Sequence, residues 1–438
     1  MTGRQALSTA EGRAVRDTGR QLIEGTSVRN GWATKTLADV CRFSNGLWKG
    51  EKPPFANVGV VRNTNFTKGG TLDYSDIAYL DVEASKLEKR RLQFGDIILE
   101  KSGGGPKQPV GRVALFDRQD GDFSFSNFTA SLRVLAPDEI DFRFLHRFLY
   151  WTYVSGATEG MQSHSTGIRN LNADAYRAIE FGYPPIPEQQ RIVGVLDEAF
   201  AAIAAARANT EQNLRNAHDL FQSHLNAVFT RRGEGWVESK LGSITTKIGS
   251  GATPRGGEDS YKSEGISLIR SLNVHDLGFK NTRLAFLDSG QADDLANVDV
   301  KPRDVLLNIT GASVARCCVV PDDVLPARVN QHVSIIRPNS GTLDAGFLHY
   351  MLISEPYKKQ LLQTGVEGGS TRQAITKADI QGFTVGYPAT LGEQAAFVAK
   401  LDAVLTETQR LASIYQRKLA ALDALKQSLL HQAFTGAL

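Results

Sequence analysis

Glu188-Gln189-Gln190-Arg191-Ile192-Val193-Gly194-Val195-Leu196-Asp197 returns later in the chain as Glu393-Gln394-Ala395-Ala396-Phe397-Val398-Ala399-Lys400-Leu401-Asp402, an offset of 205 (393 minus 188). The register then runs without a gap to Thr230 and Thr435. Leu214, Leu220, Gln222, Ser223, Leu225 and Phe229 answer Leu419, Leu425, Gln427, Ser428, Leu430 and Phe434. A chain that says the same thing twice implies a pseudo-symmetric molecule built from two similar halves.

Both copies of this stretch are spaced as long helices. Phe397, Leu401, Val404, Thr408, Leu411, Tyr415, Lys418, Leu422, Leu425 and Leu429 alternate steps of four and three, the seam of a coiled coil. Ile192, Leu196, Ala199, Ile203, Ala206, Thr210, Asn213, Ala217, Leu220 and His224 form the same seam in the first copy. The spacing predicts two helices of about 44 residues, roughly 65 Å each, started near Pro187 and Pro388 and stopped at Gly233 and Gly436. A helix that long overshoots a domain of ordinary size. Antiparallel pairing of the two helices is therefore expected, with a domain toward each end and the helices setting the distance between them.

The repeat extends upstream more weakly, so each half reads as one globular domain followed by one helix. Gly31-Trp32 matches Gly235-Trp236, Asp96-Ile97-Ile98-Leu99 matches Asp304-Val305-Leu306-Leu307, and Gly182-Tyr183-Pro184 matches Gly386-Tyr387-Pro388. Asn127-Phe128-Thr129-Ala130-Ser131 is set against Asn330-Gln331-His332-Val333-Ser334. The expected boundaries are 1–30 for a charged extension, 31–184 and 234–386 for the domains, and 185–233 and 387–438 for the helices. The domains read as mixed α/β. Strands are expected at Val58 to Arg62, Asp96 to Glu100, Gly111 to Phe116 and Phe123 to Leu135, with a helix over Phe142 to Val154. The second half repeats the order: Ser267 to Arg270, Asp304 to Thr310, Val314 to Val320, Val329 to Arg337, then a helix over Gly346 to Leu352.

Composition bounds the class without naming it. The 438 residues, 41% hydrophobic and 22% charged, suit two or three domains with real cores. No apolar run approaches the roughly 20 residues that span a bilayer, and no signal peptide is visible, so a cytoplasmic location is expected. Cys41 and Cys317-Cys318 lack the spacing of a zinc site or a disulfide framework and read as small buried hydrophobes. A net charge of +3 permits nucleic-acid binding without demanding it.

Motifs for catalysis are missing: there is no nucleotide-binding G-x-x-x-x-G-K-[ST], no H-E-x-x-H and no G-x-S-x-G. Asp96, Glu100 and Lys101 suggest a nuclease cluster, but the second half keeps only the aspartate, as Asp304. Asp96 and Asp304 are therefore read as turn residues. What remains is polar, basic loop material of the kind that meets DNA, where Arg pairs with guanine, Asn or Gln with adenine, and Lys or Ser with phosphate. In the first half the candidates are Asn45, Lys49, Arg62, Asn63, Ser102, Lys107, His164, Arg169 and Asn170. In the second they are Thr253, Arg255, Arg270, Asn273, Thr310, Arg316, Ser370, Arg372 and Gln373. Any one of them is ordinarily a solvated loop side chain. The recurrence of Gly/Ser/Thr loops carrying Arg with Asn or Gln late in both domains is what raises the set above that.

Three segments carry a resemblance: Asp304 to Ala312 with Val329-Asn330-Gln331-His332-Val333, Tyr183-Pro184-Pro185-Ile186-Pro187-Glu188-Gln189-Gln190-Arg191-Ile192-Val193, and Ser428 to Gly436. From about Trp32 to the C-terminus the chain resembles specificity subunits of type I restriction-modification systems. That resemblance implies two target recognition domains, each reading half of a split double-stranded DNA site, and no catalysis. It implies two DNA adenine methyltransferase subunits and restriction/translocase subunits as partners, with S-adenosylmethionine, ATP and Mg held by those partners and no cofactor here. The helix residues expected to meet a partner are Glu188, Gln189, Leu196 and Leu214, and Glu393, Gln394, Leu401 and Leu419. Two other classes stay open: an enzyme acting on DNA through an unmotifed site such as Asp96, Glu100, His146 and His164, and a protein scaffold that binds no DNA.

Overall fold

In the computed structural model the described residues are 31–47, 50–105, 108–165, 168–364 and 374–438, with no side-chain description at 164 and 165. The extension 1–30 and the candidates Lys49, Lys107, Ser370, Arg372 and Gln373 lie outside them, as does the His164 side chain. The chain divides into two compact units. The first comprises residues up to Thr210 together with Lys418–Leu438, and the second is Glu211–Arg417.

In the first unit an antiparallel sheet orders Cys41–Asn45, Thr129–Val134, Ile97–Glu100 and Val113–Leu115. A second sheet orders Ala78–Glu83, Phe55–Val61 and Phe123–Phe125, the last pair parallel. The second unit repeats both. Thr245–Ser250, Val333–Pro338, Val305–Asn308 and Cys317–Val319 make one sheet. Ala285–Leu287, Ile266–Ile269, Ala327–Val329 and Asp299–Val300 make the other. Each unit also closes on a two-stranded ribbon joining its ends, Ala33–Thr36 with Glu180–Tyr183 and Trp236–Lys240 with Thr384–Pro388.

Two strands expected as continuous are each broken. Phe123–Phe125 and Thr129–Val134 are separated by a turn at Ser126-Asn127-Phe128, and Ala327–Val329 and Val333–Pro338 by one at Asn330-Gln331-His332. The chain thereby crosses from one sheet of its unit to the other. The ladders also correct the alignment. Ile97 faces Leu132 and Glu100 faces Thr129, whereas Val305 faces Ile336 and Asn308 faces Val333. Phe128 is therefore equivalent to His332, and Asn127 to Gln331, one position away from the match drawn on Asn127 and Asn330.

The long helices run Ile186–Thr230 and Leu391–Thr435, 45 residues each. Their seams follow the expected positions only partway. Buried Leu196, Ile203, Thr210 and Ala217 stand seven apart, after which Phe221, Leu225 and Phe229 stand four apart. From Thr210 the inward positions Leu214, Ala217 and Phe221 step four, three, four, and Thr408, Ala412, Tyr415 and Leu419 do the same. Eleven residues in three turns matches a straight helix of 3.6 residues per turn better than a sustained heptad does. The consequence is that Leu220 and Leu425, expected in the seams, are turned outward at 45% and 47% exposure. His224, Asn213 and Lys418 are exposed as well.

Each unit takes the last turns of one helix and the first turns of the other into its core. In the first, Phe434 packs on Phe144, Phe148 and Trp151 with ring centroids 5.3, 5.5 and 5.6 Å away. Arg191 donates to the Leu438 carbonyl and Arg207 pairs with Asp423, so the two helical segments there run antiparallel. In the second, the equivalent Phe229 packs on Phe347 at 5.3 Å and on Tyr357 at 6.1 Å. Burying a phenylalanine contributes about 1.5–3 kcal/mol, so these two rings are substantial anchors.

Candidate nucleic-acid interface

Beneath the loops of both units lies one repeated ionic frame. Arg133 donates Nε and Nη2 to Asp96 at 2.7 and 2.6 Å, and Arg337 donates the same pair to Asp304 at 2.7 and 2.8 Å. Each aspartate also accepts from a turn amide, Gln93 N or Lys301 N, and each arginine reaches a backbone carbonyl, of Arg91 or Asp299. The turn role expected for Asp96 and Asp304 is present, with a forked ion pair added to it. Bidentate geometry around a fully buried carboxylate compensates its desolvation, and removing one partner of such a pair costs about 3–5 kcal/mol.

The same sheet edge separates the units chemically. Glu100, 0% exposed, is gripped by Arg112 at 2.7 and 3.0 Å, accepts from Asn63 Nδ2 at 3.2 Å, and Arg112 also donates to the Asn63 carbonyl. In the second unit Asn308 replaces the glutamate. Its Nδ2 donates to the Ser271 carbonyl at 2.9 Å and to Ser313, and its Oδ1 is buried without a partner. Arg316, the counterpart of Arg112, is half-buried and has no ion pair among the described residues. Arg112 is locked in an ion pair, whereas no described carboxylate engages Arg316.

The structure divides the remaining candidates. Asn45 is exposed and accepts from Lys101 Nζ at 2.8 Å. Ser102 donates to Asn170 Oδ1 at 2.6 Å across the pairing of Ser102–Gly104 with Ile168–Leu171, and Arg169, next along that strand, is half-exposed. Arg255 is exposed with no hydrogen-bond or ion-pair partner among the described residues. Thr253 is hydrogen-bonded to Gln331, and Thr310 to His332 Nδ1 at 2.6 Å. Asn273 does not fit a base-reading role. It is 0% exposed, accepts from Arg270 N and donates to the carbonyls of Lys280 and Thr282, so it staples its own loop. Asn65 does the same in the first unit. Arg62 and Arg270 are partly tied down too, to Asp76 and to Glu258 with the Arg283 carbonyl.

Four helix positions expected at a partner surface are interior. Gln189 accepts from Asp141 N at 2.9 Å and donates to the carbonyls of Glu139 and Pro184. Gln394 accepts from Asp344 N at 2.7 Å and donates to the carbonyls of Thr342 and Pro388. Both are 0% exposed. Asp141 and Asp344 are N-caps of the helices Phe142–Val154 and Ala345–Ile353, so each glutamine pins a long helix to its domain. Leu196 and Leu401 are buried in the cores. Glu188 pairs with Arg191, which holds its carboxyl below the usual range, and Glu393 accepts from Thr390. Leu214 and Leu419 are half-buried.

The acidic residues offered for catalysis are occupied: Asp96 and Glu100 are spent on arginines. His146 is buried, and burial pushes its pKa down to about 3. Among the described residues no group of three or more His, Cys, Asp or Glu is arranged to hold a metal ion, and no helix is long and apolar enough to cross a membrane. The sequence reading missed the two turns at Ser126-Asn127-Phe128 and Asn330-Gln331-His332. Their turn-forming Ser and Asn inside β-rich runs were the available signal.

Residues 29–214 match a family model described as Type I restriction modification DNA specificity domain. The StySPI type I restriction enzyme specificity subunit of Salmonella potsdam is 22% identical over 439 residues, covering 93% of this chain and 89% of that protein. The EcoBI specificity subunit of Escherichia coli is 23% identical over 351 residues, covering 73% and 72%. Two solved structures share the fold at 20% identity. One, from a study of complex assembly and conformational transition of the type I R-M system, aligns at a TM-score of 0.75 over 94% of this chain and 99% of that one. The other, the HsdS subunit from Thermoanaerobacter tengcongensis, aligns at 0.60 over 94% and 98%.

Proposed function

We propose that the chain is a noncatalytic DNA specificity subunit of a type I restriction-modification system, supported by the family match over residues 29–214 and by the curated relatives, and that it divides its labour between its two units. The two α/β units, expected as domains 31–184 and 234–386, each read one half of a bipartite double-stranded site. The observation that carries this is a common frame under dissimilar edges. The Asp96–Arg133 and Asp304–Arg337 pairs repeat atom for atom, while Glu100 with Arg112 gives way to Asn308 beside an Arg316 that no described carboxylate engages. A fixed scaffold with variable edges is what independent readers need, since phosphate contacts position a protein and edge contacts specify bases.

The long helices are proposed to carry two DNA adenine methyltransferase subunits, with restriction/translocase subunits completing a cytoplasmic assembly. S-adenosylmethionine, ATP and Mg belong to those partners in this reading. Support comes from Leu220 and Leu425, exposed apolar side chains at equivalent positions of the two helices, as two copies of one partner would require. The helices in turn set the distance between half-sites.

The test is to exchange residues 31–184 for the corresponding domain of another specificity subunit and map methylated adenines in the host genome. One half of the site should change and the other should stay. Simultaneous change of both halves would overturn independent reading. Methyl transfer by the isolated chain would overturn the division between reader and methyltransferase.

A further inference from the structure

The two turns that interrupt the expected strands are built alike and carry an aromatic ring at the same place. Ser126 N donates to the Val61 carbonyl and Asn330 N to that of Ile269. Thr129 N closes back on Ser126 O, and Val333 N on Asn330 O. The Phe128 carbonyl accepts from Lys101 N and Ser102 N, and the His332 carbonyl from Ile309 N.

A glycine backs each turn so closely that no side chain fits. A Cβ on Gly46 would lie 1.8 Å from the Ser126 carbonyl oxygen, and one on Gly251 1.7 Å from that of Val329. The backbone of each turn is therefore held before any ligand arrives, and side chains on it lose little further freedom on binding.

What these rigid turns present differs. Phe128 is 44% exposed and has Asn63, Ser102 and the Lys101–Asn45 pair around it. The ring lies beside Gly103, where an added Cβ would stand 3.5 Å from its Cδ1, and nearly half of this large apolar side chain faces solvent on a pinned turn amid hydrogen-bonding side chains. His332 stands in its place in the second unit, its ring held by Thr310 and Gln331.

We propose that Phe128 is a specificity-determining residue of the first unit, making an apolar contact with a DNA base. His332, with Gln331 beside it, makes the corresponding polar contact in the second unit. A ring edge meeting a thymine methyl group in the major groove and a ring wedged between base steps are the two forms of that contact. This inference rests on the DNA-reading proposal and adds to it a residue and a chemistry.

The experiment uses the full-length chain with its own methyltransferase, comparing wild type, Phe128→Ala, Phe128→Tyr and Tyr79→Ala. Tyr79 is an exposed aromatic of the same unit outside the turn. Methylated adenines are mapped in cells, and a labelled duplex carrying the wild-type site is titrated in vitro. Phe128→Ala should bind that duplex about 5- to 150-fold more weakly and relax or change base preference in one half of the site only. Phe128→Tyr should keep most of the affinity, and Tyr79→Ala should match wild type. Replacing single thymines by uracil, which lacks the methyl group, distinguishes an edge contact, sensitive to it, from a wedge.

Phe128→Ala with wild-type affinity and an unchanged map overturns the inference while leaving the DNA-reading proposal standing. An equal loss on unrelated duplexes also overturns it, since that marks a general contact. Failure of the wild-type chain to give any sequence-dependent binding overturns the DNA-reading proposal and this inference together. Thermal melting of Phe128→Ala equal to wild type excludes unfolding as the cause of a loss, and a lowered melting point with a loss shared by Phe128→Tyr counts against the contact.

Discussion

Replacing Asn308 by glutamate tests whether the guanidinium released at Arg316 is used on DNA. In the first unit the equivalent carboxylate holds Arg112 at 2.7 and 3.0 Å, and Arg112 also serves the Asn63 carbonyl. In the second, the Asn308 amide serves the equivalent Ser271 carbonyl instead. The substitution removes that donor and supplies an acceptor, so Arg316 is expected to swing inward, pair with the introduced carboxylate and take over the Ser271 carbonyl. Desolvation and attraction nearly cancel in buried pairs, and the folding stability should stay within about 1 kcal/mol of wild type. The cost falls on binding. Losing one phosphate contact lowers the slope of log K against log salt by about 0.9, or about eightfold in affinity at 0.1 M salt relative to 1 M. Fluorescence anisotropy of a labelled duplex from about 50 to 200 mM salt reads the slope directly. Arg316→Ala should lose the same slope, and Asn308→Glu combined with Arg316→Ala should lose no more than either alone. An unchanged slope and affinity in Asn308→Glu, with the fold intact, would refute the reasoning.

Gln189→Ala leaves one amide and two carbonyls without partners and should destabilise the first unit by at least about 3 kcal/mol, given about 1–3 kcal/mol per unsatisfied group. Gln394→Ala should do the same to the second, and hydrogen exchange around the Asp141 or Asp344 cap locates each effect. Leu220→Asp and Leu425→Asp should leave melting temperatures near wild type, as both side chains are exposed, yet each should halve the methyltransferase recovered by pull-down. An unchanged ratio of two per chain in both variants would remove the helices as docking sites. Burial lowers the folded-state pKa of His146 to about 3 and shifts His349 in the same direction. The unfolded chain therefore binds protons below about pH 6.5 that the native state refuses. Stability should fall as pH drops below about 6.5, by up to about 1.4 kcal/mol per pH unit for His146 down to about pH 3, with His349 adding in the same direction. His146→Gln should flatten melting temperature against pH, and an unaltered curve would show that the imidazole is not held neutral. Arg169→Ala should weaken binding by about 1–3 kcal/mol with altered preference in one half-site if it pairs with a base, measured on single-base variants of the duplex.

The large features were legible because they rest on repetition and periodicity. Glu188 to Thr230 against Glu393 to Thr435 announced two helices, and both observed helices contain those residues. Register was less legible. Leucines at Leu220 and Leu425 invited continuation of the heptad, but a straight helix drifts about 20° per heptad and carries them outward. In the strands, the shared asparagine of Asn127 and Asn330 pulled the alignment one residue from the one that the ladders define. Site residues were the hardest, because composition does not tell a reading asparagine from a stapling one. Asn45 is exposed and Asn273 has no exposed surface, and only the loop geometry distinguishes them. Gln189 and Gln394 recur for the same reason: an interior joint is as repeatable as a binding face.

Phe434 completes the packing of the first unit, although it is made long after that unit's other core residues up to Thr210. During synthesis at about 5–20 residues per second, the 224 residues from Glu211 to Phe434 (434 minus 210) take roughly 11–45 s to be made. Throughout that interval Phe144, Phe148 and Trp151 lack the ring that covers them. The first unit thus stays incomplete until that ring emerges, and its nascent form is a natural client for chaperones that hold aromatic surfaces. A premature stop within Leu391–Thr435 that removes Phe434 would leave the aromatic cluster of the first unit uncovered, so truncated chains would be exposed to proteolysis.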